Sequence, residues 1–505
     1  MQIEPSVEAF AARYAQCEPQ VMWTTLVADL ETPVSAFLKV AGHRAMSFLL
    51  ESVEGGTSRG RYSIIGLEPD VVFRAHGYQA EINRTARSKP DEFAPCPQPA
   101  LEALRALLSE SRIALPESLP PMAAGLFGYL GYDMVRLMEE LPPLNPDPIG
   151  IPDAILTRPT LVIVFDTVRD TLTVVTPVRP EPGVSATVAF GRAVERLSGV
   201  VDDLDRALDK EQSRDESGPL HVVPTSNTAP DEFKAMVRRA KDYITAGDIF
   251  QVVLSQRFEA PFPLPPFALY RALRRVNPAP FLFYLDYGAF AIVGSSPEIL
   301  VRVRDRVVTI RPIAGTRPRG QTAHADKALE AELLADPKER AEHLMLLDLG
   351  RNDVGRVAAI GTVAVTDPFF VERYSQVMHI VSNVEGTLDP RYDVVDALAA
   401  GFPAGTVSGA PKVRAMQIID ELEKDKRGLY AGCVGYFSAD GEMDSCIVLR
   451  TALIKDGIMH VQAGAGIVAD SDPAFEQQEC VQKAKALFRA AEEARRFASA
   501  ARRGQ

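Results

Sequence analysis

The chain has 505 residues, of which 46% are hydrophobic and 24% charged, and its formal net charge is −12. At roughly 100–200 residues per domain, this length predicts two or three packed units, and the composition is that of a globular protein. The acidic balance argues against a nucleic-acid-binding protein, which needs a basic surface to meet phosphates.

Cysteine usage and the N-terminus indicate where the protein acts. The five cysteines form no C-x-x-C pair, so we expect free thiols in a reducing compartment. The first residues lack the basic and apolar regions of a secretory signal, and no apolar run is long enough to span a bilayer. A cytoplasmic protein without membrane contact is expected.

The first predicted elements are strands, followed by a linker and a helix. Residues 1–204 contain the strand-like runs MSFLLES, RYSIIG and LVIVFDTVRDTLTVVTP, and are predicted to form an N-terminal domain. The charged and Pro-punctuated stretch 205–229 is typical of a surface linker. After it, apolar residues at helical spacing predict an amphipathic helix that begins near Asp231 and stops at Gly247.

Residues 230–489 are predicted to form a second domain, with 490–505 as a C-terminal tail. Runs at 250–258, 281–288, 290–296 and 446–454 are rich in β-branched and aromatic residues and predict strands. Helical stretches lie between and after them in an irregular order, which favours an α+β fold over a regular doubly wound one.

Two pairs of glutamates recur at helical spacing in this second part. Glu339 and Glu342 lie three residues apart in one predicted helix, and Glu476 and Glu479 repeat that spacing in another. Facing each other, the pairs would form an all-oxygen site that suits Mg²⁺ better than zinc. Glutamates at this spacing are more often a solvated helix face, so both interpretations stay open.

Arg450 and His379 stand out by their apolar surroundings. Arg450 lies in the run CIVLRTALI, where a charge needs a partner, either an internal acidic side chain or the carboxylate of a ligand. His379 is either a buried structural histidine or a general acid or base. Glycine-rich turns at 313–320, 402–411 and 462–467 let backbone N–H groups approach an anion, but none matches a P-loop.

Eight sequence blocks follow one another in the second part. They are GDIFQVVLSQRF, IVGSSPEILVR, TIRPIAGTRPRG, ERAEHLMLLDLGRNDVGRV, ERYSQVMHIVS, FPAGTVSGAPKVRAM, LYAGCVGYFSADGEMDSCIVLRT and QAGAGIVADSDPAFEQQE. In this order they resemble the motifs of the chorismate-utilising enzymes. The resemblance implies layered antiparallel β-sheets with helices packed outside, a regulatory N-terminal portion and a catalytic C-terminal portion.

Carried over by position, the resemblance also implies a site. Glu342 and Glu479 are similar to the Mg²⁺ ligands, with Glu339 and Glu476 beside them. The residues similar to catalytic or pocket-lining ones are Glu298 as general acid, His379 near the enolpyruvyl group, and Thr406. The residues similar to those that hold chorismate are Gly315, Thr316, Tyr430, Arg450, Gly464, Ala465, Gly466 and Lys483.

Two positions separate the branches of this family. Isochorismate and salicylate synthases resemble KVVLS where this chain has Gln251, and aminodeoxychorismate synthases resemble PIKGT where it has Ala314. Without either lysine, ammonia is the expected nucleophile, as in the large subunits of anthranilate synthases. The alternatives are an aminodeoxychorismate synthase, which Ala314 disfavours, and a noncatalytic amino-acid-binding regulator, which the retained carboxylates disfavour.

The anthranilate synthase branch further implies partners. Around Cys433 the chain reads AGCVG, which lacks the first glycine of a G-x-C-x-G amidotransferase elbow, so a separate glutamine amidotransferase small subunit is expected, in a heterotetramer. SFLLESVEGG and NPAPFLF resemble two parts of a tryptophan feedback site. The residues implied are Glu51, Ser52, Pro280, Phe281 and Leu282. Ala279, Phe281 and Leu282 depart from the commonest NPSPYMF pattern, and LLES alternatively only ends a strand.

Overall fold

The computed structural model describes residues 1–42, 44–52, 60–208, 222–374 and 377–498. Within these ranges the α-helices are α1 (Val7–Ala15), α2 (Pro33–Val40), α3 (Ala100–Glu110), α4 (Ala186–Asp205), α5 (Pro230–Ala246), α6 (Pro266–Val276), α7 (Ala323–Ala335), α8 (Pro337–Gly355), α9 (Val394–Gly401), α10 (Lys412–Leu422) and α11 (Pro473–Ala494). The β-strands are β1 (Gln20–Val27), β2 (Ser47–Ser52), β3 (Tyr62–His76), β4 (Gln79–Asn83), β5 (Ala94–Pro95), β6 (Gly125–Leu130), β7 (Ala154–Asp166), β8 (Thr171–Val178), β9 (Thr225–Ser226), β10 (Gln251–Pro261), β11 (Phe281–Asp286), β12 (Phe290–Ser296), β13 (Ile299–Arg304), β14 (Val307–Ile310), β15 (Ile313–Pro318), β16 (Ala364–Arg373), β17 (Val377–Thr387), β18 (Gly409–Ala410), β19 (Cys433–Ser438), β20 (Met443–Ile447), β21 (Thr451–Lys455) and β22 (Ile458–Ile467).

The strands form one long antiparallel path through the molecule. Along it the order is β10, β22, β21, β12, β11, β2, β3, β7, β6, β19, β20, β13, β14 and β17, and β15 and β16 both pair with β17. The predicted α+β class with layered antiparallel sheets is therefore confirmed. Among the described helices, none has both the length and the apolar composition that crossing a bilayer requires.

The N-terminal strands lie in the middle of this path, between two groups of C-terminal strands. Strand β2 pairs with β11, which sets Glu51 opposite Leu282 and Ser52 opposite Phe281, and β6 pairs with β19. The two portions thus share backbone hydrogen bonds. The predicted domain limits stay a prediction, since residues 209–221 of the predicted linker lie outside the described ranges and α11 continues to Ala494.

Most of the predicted elements are present, with one error at Arg450. The predicted helix after the linker is α5, and it ends at Gly247, whose φ of 84° suits glycine. The strand predicted over 446–454 is wrong, because β20 ends at Ile447 and β21 begins at Thr451. Between them the chain passes from the partner β19 to the partner β12, and Arg450 has a left-handed φ of 48°.

The core fills the space between the layers. In it, the Phe48 and Phe127 rings stack at 4.7 Å, and the Phe127 and Tyr436 rings lie 5.6 Å apart, so β2, β6 and β19 contribute to one aromatic cluster. This packing fixes the N-terminal strands against the C-terminal ones. Helix α11 packs against β22 and the helices α5 and α6.

Candidate active site

One cavity of about 650 Å³ collects nearly all the residues predicted for catalysis, substrate binding and metal binding. It lies between β10 and β22 on one side and β15, β17 and α8 on the other, with α11 at its edge. The predicted residues that line it are Glu298, Gly315, Thr316, Glu339, Glu342, His379, Thr406, Tyr430, Arg450, Gly464, Gly466, Glu476, Glu479 and Lys483.

Ala465 is the predicted residue whose side chain does not line the cavity. Because side chains alternate along β22, Gly464 and Gly466 face the cavity while Ala465 is buried in the hydrophobic core. A Cβ at Gly464 would lie 2.8 Å from the Tyr430 hydroxyl, and one at Gly466 would lie 2.6 Å from Nε2 of Gln251. Glycine at these two positions keeps the cavity open.

Two helix N-termini bring the glutamates to the cavity. Asp336 caps α8, and Pro337 at its first position separates it from α7. Asp472 caps α11 in the same way, with Pro473 at the first position. The glutamate pairs therefore lie in the first two turns of both helices, and the helix dipoles favour the negative charge of Glu339 and Glu476 in the first turns.

The four glutamates are not equivalent. Glu339 is held by Arg317 at 3.1 Å, and Oε1 of Glu479 lies 2.7 Å from Nζ of Lys483. Burial, then the charges of Glu339 and Glu479, raise the pKa of Glu342. Burial raises the pKa of Glu476 too, and the charge of Glu479 adds to the shift. Carboxylates therefore repel one another here, and a cation would relieve that repulsion.

This donor set fits Mg²⁺. No group of three or more His, Cys, Asp or Glu side chains is arranged for a metal ion in the described parts of the chain. Mg²⁺ does not need one, because it commonly takes one or two protein carboxylates and completes its shell with water and substrate oxygens. Glu342 and Glu479, with Glu476 beside them, supply such oxygens.

Glu298 is buried at the inner end of the cavity, with 7% of its surface exposed. The Thr406 hydroxyl lies 3.2 Å from each of its carboxylate oxygens. Burial raises the pKa of Glu298 to about 8, and the bond from Thr406 only partly opposes this shift. A carboxyl group that stays protonated at neutral pH can act as a general acid.

His379 is neutral and has a defined tautomer. Its Nδ1 lies 3.1 Å from the Gly315 carbonyl oxygen and 3.0 Å from the Thr316 hydroxyl. Because a carbonyl only accepts, Nδ1 carries the proton and Nε2 is an acceptor. Burial lowers the pKa of His379 to about 4; the bond to Gly315 opposes this shift, and the charge of Arg450 contributes to it.

Arg450 lines the cavity and has no acidic partner among the residues that the structure describes. Burial lowers the pKa of its guanidinium, and no carboxylate in the described ranges forms an ion pair with it. The sequence left open whether Arg450 pairs with an internal acidic side chain or with the carboxylate of a ligand. The described ranges contain no such internal partner. A buried guanidinium without a carboxylate is a binding site for an anionic ligand.

The two positions that separate the family branches also line this cavity. Gln251 lies at the start of β10 and Ala314 in β15. Neither side chain is a base or an amine nucleophile at neutral pH. Tyr374, which sequence reasoning did not single out, packs its ring edge-on against His379 at 5.4 Å.

Comparison with known proteins agrees with this geometry. The sequence profile for chorismate binding enzymes matches residues 47–489. The chain belongs to the chorismate binding enzyme family. Anthranilate synthase component 1 of Cereibacter sphaeroides is 57% identical over 99% of this chain and 100% of its own length. The Thermus thermophilus protein of the same name is 48% identical over 93% of this chain and 97% of its own length.

Two solved structures are also similar to this chain. Anthranilate synthase component I from Streptococcus pneumoniae TIGR4 has a TM-score of 0.74 and 36% identity, covering 92% of this chain and 98% of its own. The menaquinone-specific isochorismate synthase of Escherichia coli has a TM-score of 0.70 at 22% identity, covering 96% and 98%, which shows the shared fold alone.

This member of the chorismate binding enzyme family has a second cavity, of about 510 Å³, where β2 meets β11. All five predicted effector residues line it, namely Glu51, Ser52, Pro280, Phe281 and Leu282. Arg274 holds the Glu51 carboxylate at 2.7 Å and the Tyr270 hydroxyl also donates to it, so Glu51 is already paired. The Ser52 hydroxyl donates to the Tyr62 carbonyl oxygen at 3.1 Å.

Arginines line the far wall of the second cavity, and the sequence analysis missed them. Arg302 pairs with Asp444 at 3.2 Å and Arg311 with Glu372 at 3.2 Å. A period-two pattern in the run LVRVR, which puts Arg302 and Arg304 on one face of β13, would have indicated this wall. The two cavities share Pro297 and Ile313.

Proposed function

We propose that this chain converts chorismate and ammonia into anthranilate and pyruvate, with Mg²⁺ bound by Glu342 and Glu479. The observation that carries the proposal is that Gln251 and Ala314 both line the cavity that holds Glu298 and Arg450. Neither residue can activate water or attack the ring as an amine, so ammonia is left as the nucleophile. Relatives of this chain over nearly its full length are named anthranilate synthase component 1.

In the first step, ammonia attacks the ring carbon beside the ring carboxylate. The new C–N bond forms as the hydroxyl across the ring leaves, and Glu298 gives that hydroxyl its proton so that water departs. The raised pKa of Glu298 supports this role, since the group still carries its proton near pH 7. Arg450 binds a carboxylate of the substrate and fixes its orientation.

In the second step, the ring loses a proton, its electron pair completes the aromatic ring, and the enolpyruvyl group leaves and takes up a proton as pyruvate. We assign His379 to this stage, because its neutral ring offers Nε2 as an acceptor. When bound, Mg²⁺ supplies fixed positive charge for the ring carboxylate. We assign Lys483, whose Nζ donates to the Gly464 carbonyl oxygen at 3.0 Å, to the same end of the substrate.

Ammonia comes, in this proposal, from glutamine through a separate amidotransferase subunit. The stretch of the sequence nearest to an amidotransferase elbow is the one around Cys433, and burial raises the pKa of this thiol to about 12. A buried, protonated thiol is a poor nucleophile. The numbering as component 1 in the relatives' names is consistent with a second component.

We further propose that tryptophan binds in the second cavity and inhibits the enzyme. The apolar wall that Phe281 forms with Ile64 and Met122 suits an indole ring. Because Pro297 and Ile299 line this cavity on either side of Glu298, a bound effector would press on the backbone that carries the general acid.

The test of this proposal is the product mixture formed from chorismate, Mg²⁺ and ammonium at alkaline pH by the purified chain alone. We expect anthranilate, detected by fluorescence, and one equivalent of pyruvate. An amino-chorismate without pyruvate would instead indicate an aminodeoxychorismate synthase, and isochorismate formed without ammonia would show that water is the nucleophile.

A further inference from the structure

A buried ion pair lies behind the wall of the catalytic cavity, in the segment that follows α10. Glu423 and Arg427 form it, and their side chains are 4% and 1% exposed. Nε of Arg427 donates to one carboxylate oxygen of Glu423 at 2.9 Å, and Nη2 donates to the other oxygen at 2.5 Å. Neither residue is among those that line the catalytic cavity, so the pair can act on the reaction only through other residues.

Arg427 reaches the cavity wall through two backbone carbonyl groups. Its Nη1 donates to the carbonyl oxygen of Val407 at 2.7 Å, and its Nη2 donates to that of Val253 at 2.7 Å. Val253 and Val407 both line the catalytic cavity. Since the guanidinium is planar and charged, its hydrogen bonds fix the geometry of these carbonyl groups. One buried side chain therefore connects β10 to the short turn Gly405–Val407.

The turn Gly405–Val407 carries the hydroxyl group that contacts the proposed general acid. Thr406 lies in this turn, and its hydroxyl is 3.2 Å from each carboxylate oxygen of Glu298. Because Thr406 and Val407 are consecutive residues, a bond that fixes the Val407 carbonyl also restricts where the Thr406 hydroxyl can lie. The hydrogen bonds thus run from Arg427 through the turn to Glu298.

We propose that Arg427 is a positioning residue for the general acid, because it holds the turn that places the Thr406 hydroxyl against Glu298. This inference rests on the proposed function, in which Glu298 protonates the hydroxyl that leaves the ring. Without Arg427, the Val407 carbonyl loses its charged donor and the turn can shift. Glu298 then loses the hydrogen bond that orients its carboxyl group, and a small displacement of a catalytic group lowers the rate.

Glu423 keeps Arg427 in place, so the two residues have to be changed together. Removing one partner of a buried ion pair leaves the other charge uncompensated and destabilises the fold. In the double variant Arg427→Met/Glu423→Gln both charges are absent, and the new glutamine can still accept from the Ser255 N–H, which now donates to Glu423 at 2.8 Å. The methionine keeps apolar contact with the Tyr430 ring, whose centroid lies 5.4 Å from Cζ of Arg427.

The first measurement is kcat and the KM for chorismate in Arg427→Met/Glu423→Gln, at saturating Mg²⁺ and a fixed concentration of free ammonia. We expect kcat to fall about tenfold to 100-fold, because the general acid is misplaced. The KM for chorismate should stay within about threefold, since Arg450 and Tyr430 are unchanged.

A matched control removes a second buried arginine and its partner from the same part of the molecule. Arg257 in β10 is 3% exposed, and its side chain donates to Asp425 at 2.6 Å and to Glu259 at 3.3 Å. None of these three residues is among those that line the catalytic cavity. Arg257→Met/Asp425→Asn should therefore leave kcat within about twofold of the original.

The pH dependence of kcat separates positioning from a general loss of structure. The bond from Thr406 lowers the pKa of Glu298, so loss of that bond raises it. The fall of kcat with rising pH should therefore move to higher pH in Arg427→Met/Glu423→Gln, as it should in Thr406→Val. Adding Thr406→Val to the double variant should lower kcat by less than about a further twofold, because both changes remove the same contact.

Four results would overturn the inference. They are an unchanged kcat in Arg427→Met/Glu423→Gln, an equal loss in Arg257→Met/Asp425→Asn, a falling limb that does not move, and kcat losses that multiply when Thr406→Val is added. If the unmodified chain made no anthranilate, the proposed function itself would fail. Normal anthranilate formation with an unchanged kcat in Arg427→Met/Glu423→Gln would remove only the role of Arg427.

Discussion

The two cavities differ in how their charges are balanced. In the catalytic cavity, Arg450 has no acidic partner in the described ranges, and burial, then the charges of neighbouring carboxylates, raise the pKa of Glu342. In the second cavity, Glu51 is bound by Arg274, and Arg302 and Arg311 each have a carboxylate within 3.2 Å. One cavity carries unbalanced charge of both signs, and the other is balanced.

This difference indicates what each cavity binds. Partly buried charges without partners cost free energy that a ligand of opposite charge can recover, so the catalytic cavity suits an anionic substrate together with a cation. A cavity with balanced charges and apolar walls instead suits a largely apolar ligand. Substitutions at five residues would break or sharpen this comparison.

The largest effect is expected from Glu342→Gln or Glu479→Gln. Loss of a carboxylate ligand should reduce Mg²⁺-dependent turnover by about 10³-fold, measured at saturating Mg²⁺ and chorismate. Since burial raises the pKa of Glu342, the Tm of Glu342→Gln should not fall. Glu493→Gln, on the same helix as Glu479 and paired with Arg496, is the control. Near-normal turnover in either ligand variant would refute the metal assignment.

Glu298→Gln should reduce kcat by about 10²-fold, because general acid catalysis by a carboxyl group is lost. In the unmodified chain the acid must be protonated, so kcat should fall as pH rises through about 8. The variant should lack this falling limb when kcat is measured against pH at a fixed concentration of free ammonia. A falling limb that survives in Glu298→Gln would assign it to another group.

Arg450→Gln should lower kcat/KM for chorismate by about tenfold to 100-fold, because a charged hydrogen bond to a substrate carboxylate is lost. Arg302→Gln, an arginine of the second cavity, is the matched comparison and should leave the KM for chorismate within about twofold. If Arg450→Gln and Arg302→Gln changed the kinetic constants for chorismate equally, the distinction between the two cavities would be lost.

Ser52→Phe should have the smallest effect on the uninhibited rate, which we expect within about twofold of the original, since Ser52 lies outside the catalytic cavity. The phenylalanine ring would occupy the second cavity, so inhibition by tryptophan should be lost. Rates measured against tryptophan concentration test this, and inhibition that persists unchanged would place the effector elsewhere.

Periodicity and turn signals were sufficient to predict many elements of this fold. Helix α5 and strands β10, β11 and β12 all follow the patterns of their residues, and α5 ends at the glycine expected. The central position of β2, β3, β7 and β6 between two C-terminal strand groups was not predictable, because strand pairing over such sequence distances depends on tertiary packing.

The sequence predicted which residues form the candidate site, but it did not predict which of their charges lack partners. The resemblance gave Glu298, Arg450 and the glutamates, and the spacing of Glu476 and Glu479 on one helix was visible in the sequence. That Arg450 lacks a carboxylate partner in the described ranges depends on which side chains meet in space. The break at Arg450 was missed because apolar residues continue through a bend between two sheet layers.

The most direct test of the central claim is a crystal structure of the protein with chorismate, Mg²⁺ and tryptophan, without ammonia. We predict a chorismate carboxylate on Arg450, Mg²⁺ on Glu342 and Glu479, and the indole of tryptophan between Ser52 and Phe281. Tryptophan bound against Arg450, or chorismate in the cavity of Ser52, would contradict the assignment of the two cavities.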